Sequence, residues 1–264
     1  GNGVSSAPVI AVPYTAPAAP TGLTLSPGDA QVVASWTAPA DNGGAITEYR
    51  VSYNVDGGAY SSDIVVTGTS AVITGLANGT NVRVRVTAVN AAGAGTAATA
   101  GPVVPRGLAT APQAFAATIG NTTVSLSWNA PSSNGGSAIV EYRIERYVSG
   151  AWSEIARSNS SPYSVTGLTN GTSYQFRVSA VTSAGIGAAT ESVLATPATT
   201  PSAPTALTTT PGDKFVTLGW VAPSSNGGSA ITTYVVEQST DGTSWSESLR
   251  TTALTATVTG LTNG

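Results

Sequence analysis

The chain has 264 residues, a formal net charge of −3, only 9% charged residues, and neither cysteine nor histidine. This length favours two or three domains of about 100 residues over one core. Without cysteine there is no disulfide framework or thiolate metal site, and without histidine the commonest general base and metal ligand is missing. The only lysine is Lys214, so the basic stripe of a nucleic-acid binder is absent. No apolar run is long enough to span a bilayer. We therefore expect no cofactor, no nucleic-acid partner and no membrane insertion.

The sequence repeats with a period of 92 residues. The segment Trp128–Ile139 recurs nearly unchanged at Trp220–Ile231 and, one residue shorter, at Trp36–Ile46. The tryptophans are spaced by 128 − 36 = 92 and 220 − 128 = 92 residues. Such regularity indicates tandem copies of one domain. We predict a closing strand of a preceding repeat at residues 1–13, complete domains at 14–105 and 106–197, and a domain lacking its last two strands at 198–264.

The residues before each tryptophan predict a half-buried strand. In the second copy Val124, Leu126 and Trp128 alternate with polar residues, which is the period of a strand with one buried face. Pro131 ends this strand, and the following Asn-Gly-Gly supplies residues that tolerate a sharp turn. Each tryptophan is then expected to face the core, where it removes about 150–250 Å² from water.

The first domain contains seven segments of this kind, and the second repeats their order. Hairpin turns are predicted at Asp56-Gly57-Gly58 and at Ser149-Gly150. The predicted strands of the first domain are 22–25, 32–36, 46–54, 60–65, 71–74, 82–89 and 96–104.

Proline-rich linkers connect the repeats. They run from Ala16 to Pro20, from Pro105 to Pro112 and from Thr196 to Pro204. Such spacing favours extended, semi-rigid connectors. We expect domains strung along them to form a rod.

Together these motifs resemble the fibronectin type III family. The features are the strand-end tryptophan, a tyrosine on the next strand, the turn Gly167–Tyr174 and the run Arg177–Gly185. The resemblance implies an all-β fold of tandem seven-stranded antiparallel sandwiches without catalytic residues. The residues placed in the core are Trp36, Trp128, Trp220, Tyr49, Tyr142, Tyr234, Leu76, Leu168, Leu261 and Tyr174.

The family also guides two finer expectations. A tyrosine after the leucine turn caps a corner of the sandwich through its hydroxyl; Tyr174 fits this role, whereas the first domain has Val82 there. The Asn-Gly-Gly turn and the Thr/Ser/Ala-rich composition resemble bacterial members in secreted and surface proteins. The resemblance thus implies an extracellular location.

Acidic residues are the first candidates for chemistry. A glycosidase needs two carboxylates that converge in a cleft, but these acids do not recur at matching positions. Asp56-Gly57 and Asp241-Gly242 lack the clustered oxygen ligands of a calcium loop. We expect solvated turn or face residues at Asp41, Asp56, Asp63, Glu141, Glu145 and Glu154.

Three aromatic residues align across the repeats after the predicted hairpin: Tyr60, Trp152 and Trp245. They either contact glycans by stacking or cover a sheet edge beside Tyr53 and Tyr147.

Three asparagines match the N-glycosylation pattern, namely Asn78, Asn121 and Asn170. Alternatively, these asparagines are present because asparagine and glycine favour tight turns.

Repetition without recurring chemistry predicts a non-enzymatic extracellular array, a spacer or building block of a surface protein, filament or virion appendage. Its partners are then neighbouring repeats or copies of itself. One alternative is an adhesin or carbohydrate-binding array that contacts surface glycans. Another is the spacer region of a secreted polysaccharide hydrolase. The ends suggest a window on a longer array, or strand addition of Pro8–Val12 to the third domain of a neighbour.

Overall fold

The computed structural model describes residues 13–263, which form twenty β-strands and no helix. Residues 13–263 therefore contain no helix that could cross a membrane. The closing strand predicted for residues 1–13 and the donor segment Pro8–Val12 lie outside the described residues, except for Pro13.

The first domain is a sandwich of two antiparallel sheets. One sheet has the order β1-β2-β5 and the other β4-β3-β6-β7. The count of seven strands agrees with the family resemblance. The strands are β1 (Thr21–Gly28), β2 (Gln31–Thr37), β3 (Glu48–Val55), β4 (Ile64–Val66), β5 (Ser70–Thr74), β6 (Val82–Asn90) and β7 (Gly93–Val103).

One predicted strand of this domain starts in the wrong place. The sequence predicted a strand over 60–65, but β4 begins at Ile64 and Tyr60 precedes it. The predicted turn is present, since Asp56 and Gly57 both have positive φ (49° and 78°) and Gly58 donates its N–H to Val55 O at 2.9 Å. Beyond the turn Ser61 donates its backbone N–H to Tyr53 O at 2.7 Å, but regular pairing of β3 with β4 begins only at Val51 and Ile64.

The core of the first domain lies between the inward faces of its two sheets. Val32, Ala34 and Trp36 of β2 alternate with residues that are more exposed. From the other sheet Val84 and Val86 of β6 are fully buried. The alternation read from the sequence is therefore the one that separates core from surface.

The second domain also has two antiparallel sheets, with orders β12-β9-β8 and β11-β10-β13-β14; β15 pairs with β13 as well. Ser149 (φ 50°) and Gly150 (φ 89°) join β10 to β11, which confirms the predicted hairpin. The strands are β8 (Gln113–Gly120), β9 (Thr123–Asn129), β10 (Ile139–Val148), β11 (Ala151–Ser158), β12 (Tyr163–Val165), β13 (Tyr174–Thr182), β14 (Gly185–Ala189) and β15 (Val193–Ala195).

The third domain contains one three-stranded and one two-stranded sheet in the part of the chain that is described, with orders β16-β17-β20 and β18-β19. Its buried apolar residues are Trp220, Val236 and Val258. The strands are β16 (Thr205–Gly212), β17 (Phe215–Val221), β18 (Tyr234–Gln238), β19 (Ser246–Thr251) and β20 (Thr255–Thr259).

The chain divides into two compact units. The first comprises Gly1–Pro112, Ala130–Arg143 and Ser179–Ala189; the second comprises Gln113–Asn129, Ile144–Val178 and Thr190–Gly264. The first unit contains the linker at 105–112 and the second contains the linker at 196–204, each together with the turns on either side of it.

Candidate functional site

The three strand-end tryptophans are buried, with 6%, 5% and 9% of Trp36, Trp128 and Trp220 exposed. Trp36 meets Tyr49 edge-on with ring centroids 5.3 Å apart, and Trp220 meets Tyr234 in the same way at 5.5 Å. Such edge-to-face pairs each contribute about 0.5–1.5 kcal/mol beyond burial of area.

The leucine of the turn occupies an equivalent place in each domain. Leu76 and Leu168 are buried and Leu261 is half-buried. Each leucine donates its backbone N–H to the carbonyl of a residue in the hairpin turn between the first two strands of its domain. The distance is 3.0 Å in all three cases, and the acceptors are Ala30, Thr122 and Lys214. The leucine turn is thus tied to the hairpin between the first two strands of its own domain.

Tyr174 forms the corner that the family resemblance implied. Its hydroxyl accepts the backbone N–H of Thr169 at 3.0 Å. This hydrogen bond lowers the pKa of Tyr174, because a backbone donor stabilises the phenolate. At the matching position of the first domain Val82 is fully buried, so packing takes the place of the hydroxyl. Tyr142, another predicted core residue, is half-buried.

The first of the aligned aromatics, Tyr60, is half-buried beneath an arginine. The guanidinium carbon of Arg85 lies 4.4 Å from the centroid of the Tyr60 ring. Arg85 also donates its Nε–H to Ser52 Oγ at 3.2 Å. One face of the Tyr60 ring is therefore covered by the protein itself.

Trp152 has a similar but more elaborate environment. The guanidinium carbon of Arg177 lies 4.4 Å from its ring centroid, and Tyr147 contacts it edge-on at 5.3 Å. Arg177 in turn donates its Nε–H to Glu145 Oε2 at 2.7 Å. Arginine over an aromatic face is a favourable cation–π arrangement, so these contacts account for the position of Trp152 without a ligand.

Trp245 differs from the other two. It is 62% exposed and lies beside a cavity of about 310 Å³. The lining of this cavity includes Val216, Leu218 and Val236 of the third domain. The three aromatics that align in sequence therefore do not share one environment, and glycan contact by them stays a prediction.

The acidic candidates occupy separate places. Asp41 Oδ1 accepts the N–H of Gly43 at 3.0 Å, and Asp56 Oδ1 accepts the N–H of Asn81 at 2.9 Å. Glu154 pairs with Arg157 at 2.8 Å, Asp63 is exposed and Glu141 is half-buried. In residues 13–263 no cluster of three metal-ligating acidic side chains occurs.

The expectation of a solvated face was wrong for Glu145, which is only 2% exposed. Its ion pair with Arg177 supplies the charge that makes burial tolerable, because a buried carboxylate is costly unless paired.

The carboxylate of Asp241 is held by backbone hydrogen bonds. Its Oδ1 accepts the backbone N–H groups of Thr243 at 2.8 Å and Ser244 at 2.7 Å. These bonds, led by the one from Ser244, hold the pKa of Asp241 well below its usual range. The arrangement closes a turn around a single carboxylate.

The asparagines of the glycosylation triplets are engaged in turns. Asn78 Oδ1 accepts the N–H of Ala30, and Asn170 Oδ1 accepts that of Thr122, both at 2.8 Å. The Nδ2 group of Asn170 donates to Asn121 Oδ1 at 2.8 Å. The side-chain nitrogen of Asn170, which a glycan would modify, thus already donates a hydrogen bond within the domain.

The linkers at 105–112 and 196–204 are hydrogen-bonded on two sides, which the sequence did not predict. We call Asn78-Gly79 and Asn170-Gly171 the Asn-Gly turns, and Asn134-Gly135-Gly136 and Asn226-Gly227-Gly228 the Asn-Gly-Gly turns. In the first unit Pro105 O accepts the N–H of Gly79 at 2.9 Å. Two residues later Gly107 donates its N–H to Gly135 O at 2.9 Å.

The second unit repeats this arrangement 92 residues on. Pro197 O accepts the N–H of Gly171 at 2.9 Å, and Thr199 donates to Gly227 O at 2.8 Å. The signal in the sequence was the equal spacing of the two kinds of glycine turn. Their contact could not be read from it.

A family model for the fibronectin type III domain matches residues 18–103 and 110–196. Exoglucanase B of Cellulomonas fimi is 32% identical over 202 residues, which is 71% of this chain and 17% of that protein. Human neogenin is 28% identical over 214 residues, or 72% of this chain and 14% of that protein. The chain thus spans less than a fifth of either relative. The chicken CNTN1 FN1-FN3 crystal structure is 17% identical with a TM-score of 0.36, covering 93% of this chain and 89% of that one.

Proposed function

Because this chain belongs to the fibronectin type III family, we propose that it is a non-enzymatic extracellular spacer. In this role its repeats set the distance and orientation of whatever the array carries or connects. Its partners are neighbouring repeats of the same kind.

The observation that carries this proposal is the recurrence of the linker geometry. Corresponding residues of the two linkers, Gly107 and Thr199, make matching hydrogen bonds to the Asn-Gly-Gly turns that follow them. Residues between the linkers vary from repeat to repeat, as the buried Ser52 and Glu145 illustrate beneath their arginines. A protein that preserves its connections while other positions vary is suited to span a distance.

A second candidate is the spacer region of a secreted polysaccharide hydrolase. It is favoured by the identity of 32% to exoglucanase B, of which the matching region is a minor part. This candidate shares the spacer role and adds a catalytic domain elsewhere in the protein. The complete coding sequence discriminates between the two, since a hydrolase domain in the same reading frame supports the second.

The spacer role is tested by exchange of one repeat for another. In the protein that carries this segment, residues 14–105 are replaced by a second copy of residues 106–197, which conserves the length of 92 residues. A spacer should retain the display or activity of the attached parts, whereas an adhesin with a site in the first domain should lose binding.

A glycan-array screen of the chain complements this exchange. We expect the chain to bind none of the glycans on the array. Binding that disappears on replacement of Trp152 or Trp245 by alanine would support the adhesin alternative instead.

A further inference from the structure

We propose that the Asn-Gly-Gly turn is a docking surface whose partner is the Asn-Gly turn of the preceding repeat, and that the two close over the linker as one joint. This deepens the proposed spacer function, because a closed joint fixes the relation of one repeat to the next. Each joint lies within one compact unit.

The glycines of the two turns meet backbone to backbone. In the first joint a Cβ on Gly79 would lie 3.2 Å from the Cα of Gly136. In the second a Cβ on Gly171 would lie 3.2 Å from the Cα of Gly228. In the reverse direction a Cβ on Gly136 would overlap the backbone of Asn78 and Gly79. The close approach of the two turns thus requires a glycine on each side. Each glycine also has the positive φ that its own turn needs.

The linker between the turns is held from both sides. In the first joint Arg106 donates its N–H to Gly28 O at 3.0 Å, on the preceding repeat. Thr110 donates its N–H to Ser133 O at 2.9 Å, on the following repeat. In the second joint Ser202 donates likewise to Ser225 O at 3.0 Å. The linker backbone is therefore part of the interface and not a free tether.

Each turn is organised by its own domain before it meets its partner. Asn134 Oδ1 accepts the N–H of Gly136 at 3.0 Å, and Asn226 Oδ1 that of Gly228 at 2.9 Å. In the third domain the asparagine that corresponds to that of the Asn-Gly turns is held in the same way. Asn263 Oδ1 accepts the N–H of Lys214 at 2.9 Å, in the same manner as Asn78 does with Ala30. Preorganised surfaces lose less conformational entropy on docking, which favours a closed joint.

The peptide bond between Arg106 and Gly107 makes the first joint measurable with trypsin. The backbone N–H of Arg106 is hydrogen-bonded to the preceding repeat and that of Gly107 to the following repeat. Gly107 is also buried. Trypsin needs a locally opened segment, so its rate at Arg106 reports the population of open joint when opening is fast. Cleavage is followed by mass spectrometry of the full chain through the fragments 1–106 and 107–264.

The chain offers a closely matched pair of variants. Gly136 has φ +81° and faces the Asn-Gly turn, whereas Gly167 has φ +71° and no atom within 4 Å of an added Cβ. Both alanine variants introduce strain at a positive φ, but only Gly136→Ala also obstructs the joint. We expect Gly136→Ala to raise cleavage at Arg106 roughly ten-fold, equivalent to about 1.4 kcal/mol, and Gly167→Ala to leave it near wild type. Gly228→Ala, which affects the second joint, should also leave it unchanged.

Hydrogen exchange of the unmodified chain provides a measurement independent of the variants. The N–H groups of Gly79, Gly107, Gly171 and Thr199 should all be protected, since each bonds across its joint. The proposal is overturned if these amides exchange at the rate of an unstructured peptide, or if Gly136→Ala and Gly167→Ala accelerate cleavage equally. Failure of the joint in these assays leaves the repeat-exchange result intact, so the two proposals can be separated.

Discussion

Arg177 donates its Nε–H to Glu145 Oε2 at 2.7 Å, while only 3% of the glutamate side chain is exposed. The corresponding arginine of the first domain, Arg85, instead bonds to Ser52 Oγ. The same position between two strands is thus filled by an ion pair in one repeat and by a neutral hydrogen bond in the other. Both arrangements hold the arginine above an aromatic ring.

Replacement of Glu145 by alanine should destabilise the second domain by roughly 1–3 kcal/mol. The loss of a hydrogen bond to a charged group has this magnitude, and the 29% exposure of Arg177 limits the penalty for the cation left behind. Glu145→Ser, which imports the residue of the first domain, should be less damaging. Urea unfolding of the full chain, resolved by hydrogen exchange at β10 and β13, measures both. A larger loss for serine than for alanine would contradict this explanation.

Trp128→Ala should cost about 3–5 kcal/mol, the usual penalty for removal of a buried tryptophan. Trp245→Ala should change stability by less than about 0.5 kcal/mol, as is typical of exposed positions. The same exchange-resolved unfolding experiment compares them. A cost below about 1 kcal/mol for Trp128→Ala is incompatible with a core role for this side chain.

The sequence predicted the parts of the fold that depend on local pattern. Alternation at Val124, Leu126 and Trp128 identified a buried strand face, because strand side chains have a period of two. The glycine of Ser149-Gly150 identified a hairpin, because such turns need positive φ. Where a segment departed from regular pairing, as before Ile64, the strand boundary could not be predicted.

The candidate site was less predictable because it depends on contacts between distant residues. Alignment grouped Tyr60, Trp152 and Trp245, but the arginines that cover the first two come from β6 and β13. Burial of Glu145 depends on Arg177, 32 residues away. The joint likewise requires Gly79 to meet Gly136, and nothing local to either glycine indicates its partner.

Tyr174→Phe should destabilise the second domain by about 0.5–1.5 kcal/mol, since the N–H of Thr169 loses its acceptor. At neutral pH unfolding measurements should show this loss in the second domain only, because the first has Val82 at the same corner. An unchanged stability would mean that packing alone holds the corner.

The pH dependence of this tyrosine has a definite sign. The pKa of Tyr174 is lowered in the folded state by the hydrogen bond from Thr169, relative to about 10 in the unfolded chain. Its ionisation therefore contributes stability above the unfolded pKa, and that contribution is lost as the pH falls through the folded pKa. In an ultraviolet titration the wild type should show a phenol that ionises early, and Tyr174→Phe should lack it.

Asn170 either serves a turn or accepts a glycan, and substitution separates the two roles. Its Oδ1 accepts the N–H of Thr122 and its Nδ2 donates to Asn121. Asn170→Ala removes both bonds, so we expect a loss of about 0.5–1.5 kcal/mol. Asn121→Ala removes only the bond between the two side chains and should cost less than about 0.5 kcal/mol.

Both variants are compared with wild type by urea unfolding. Expression in a host that performs N-glycosylation, followed by intact mass measurement, provides the second readout. We expect no added glycan at Asn170, because its Nδ2 is engaged with Asn121 Oδ1 at 2.8 Å in the folded turn. A glycan mass at this position, or equal stability of the two variants, would show that the side chain does not serve the turn.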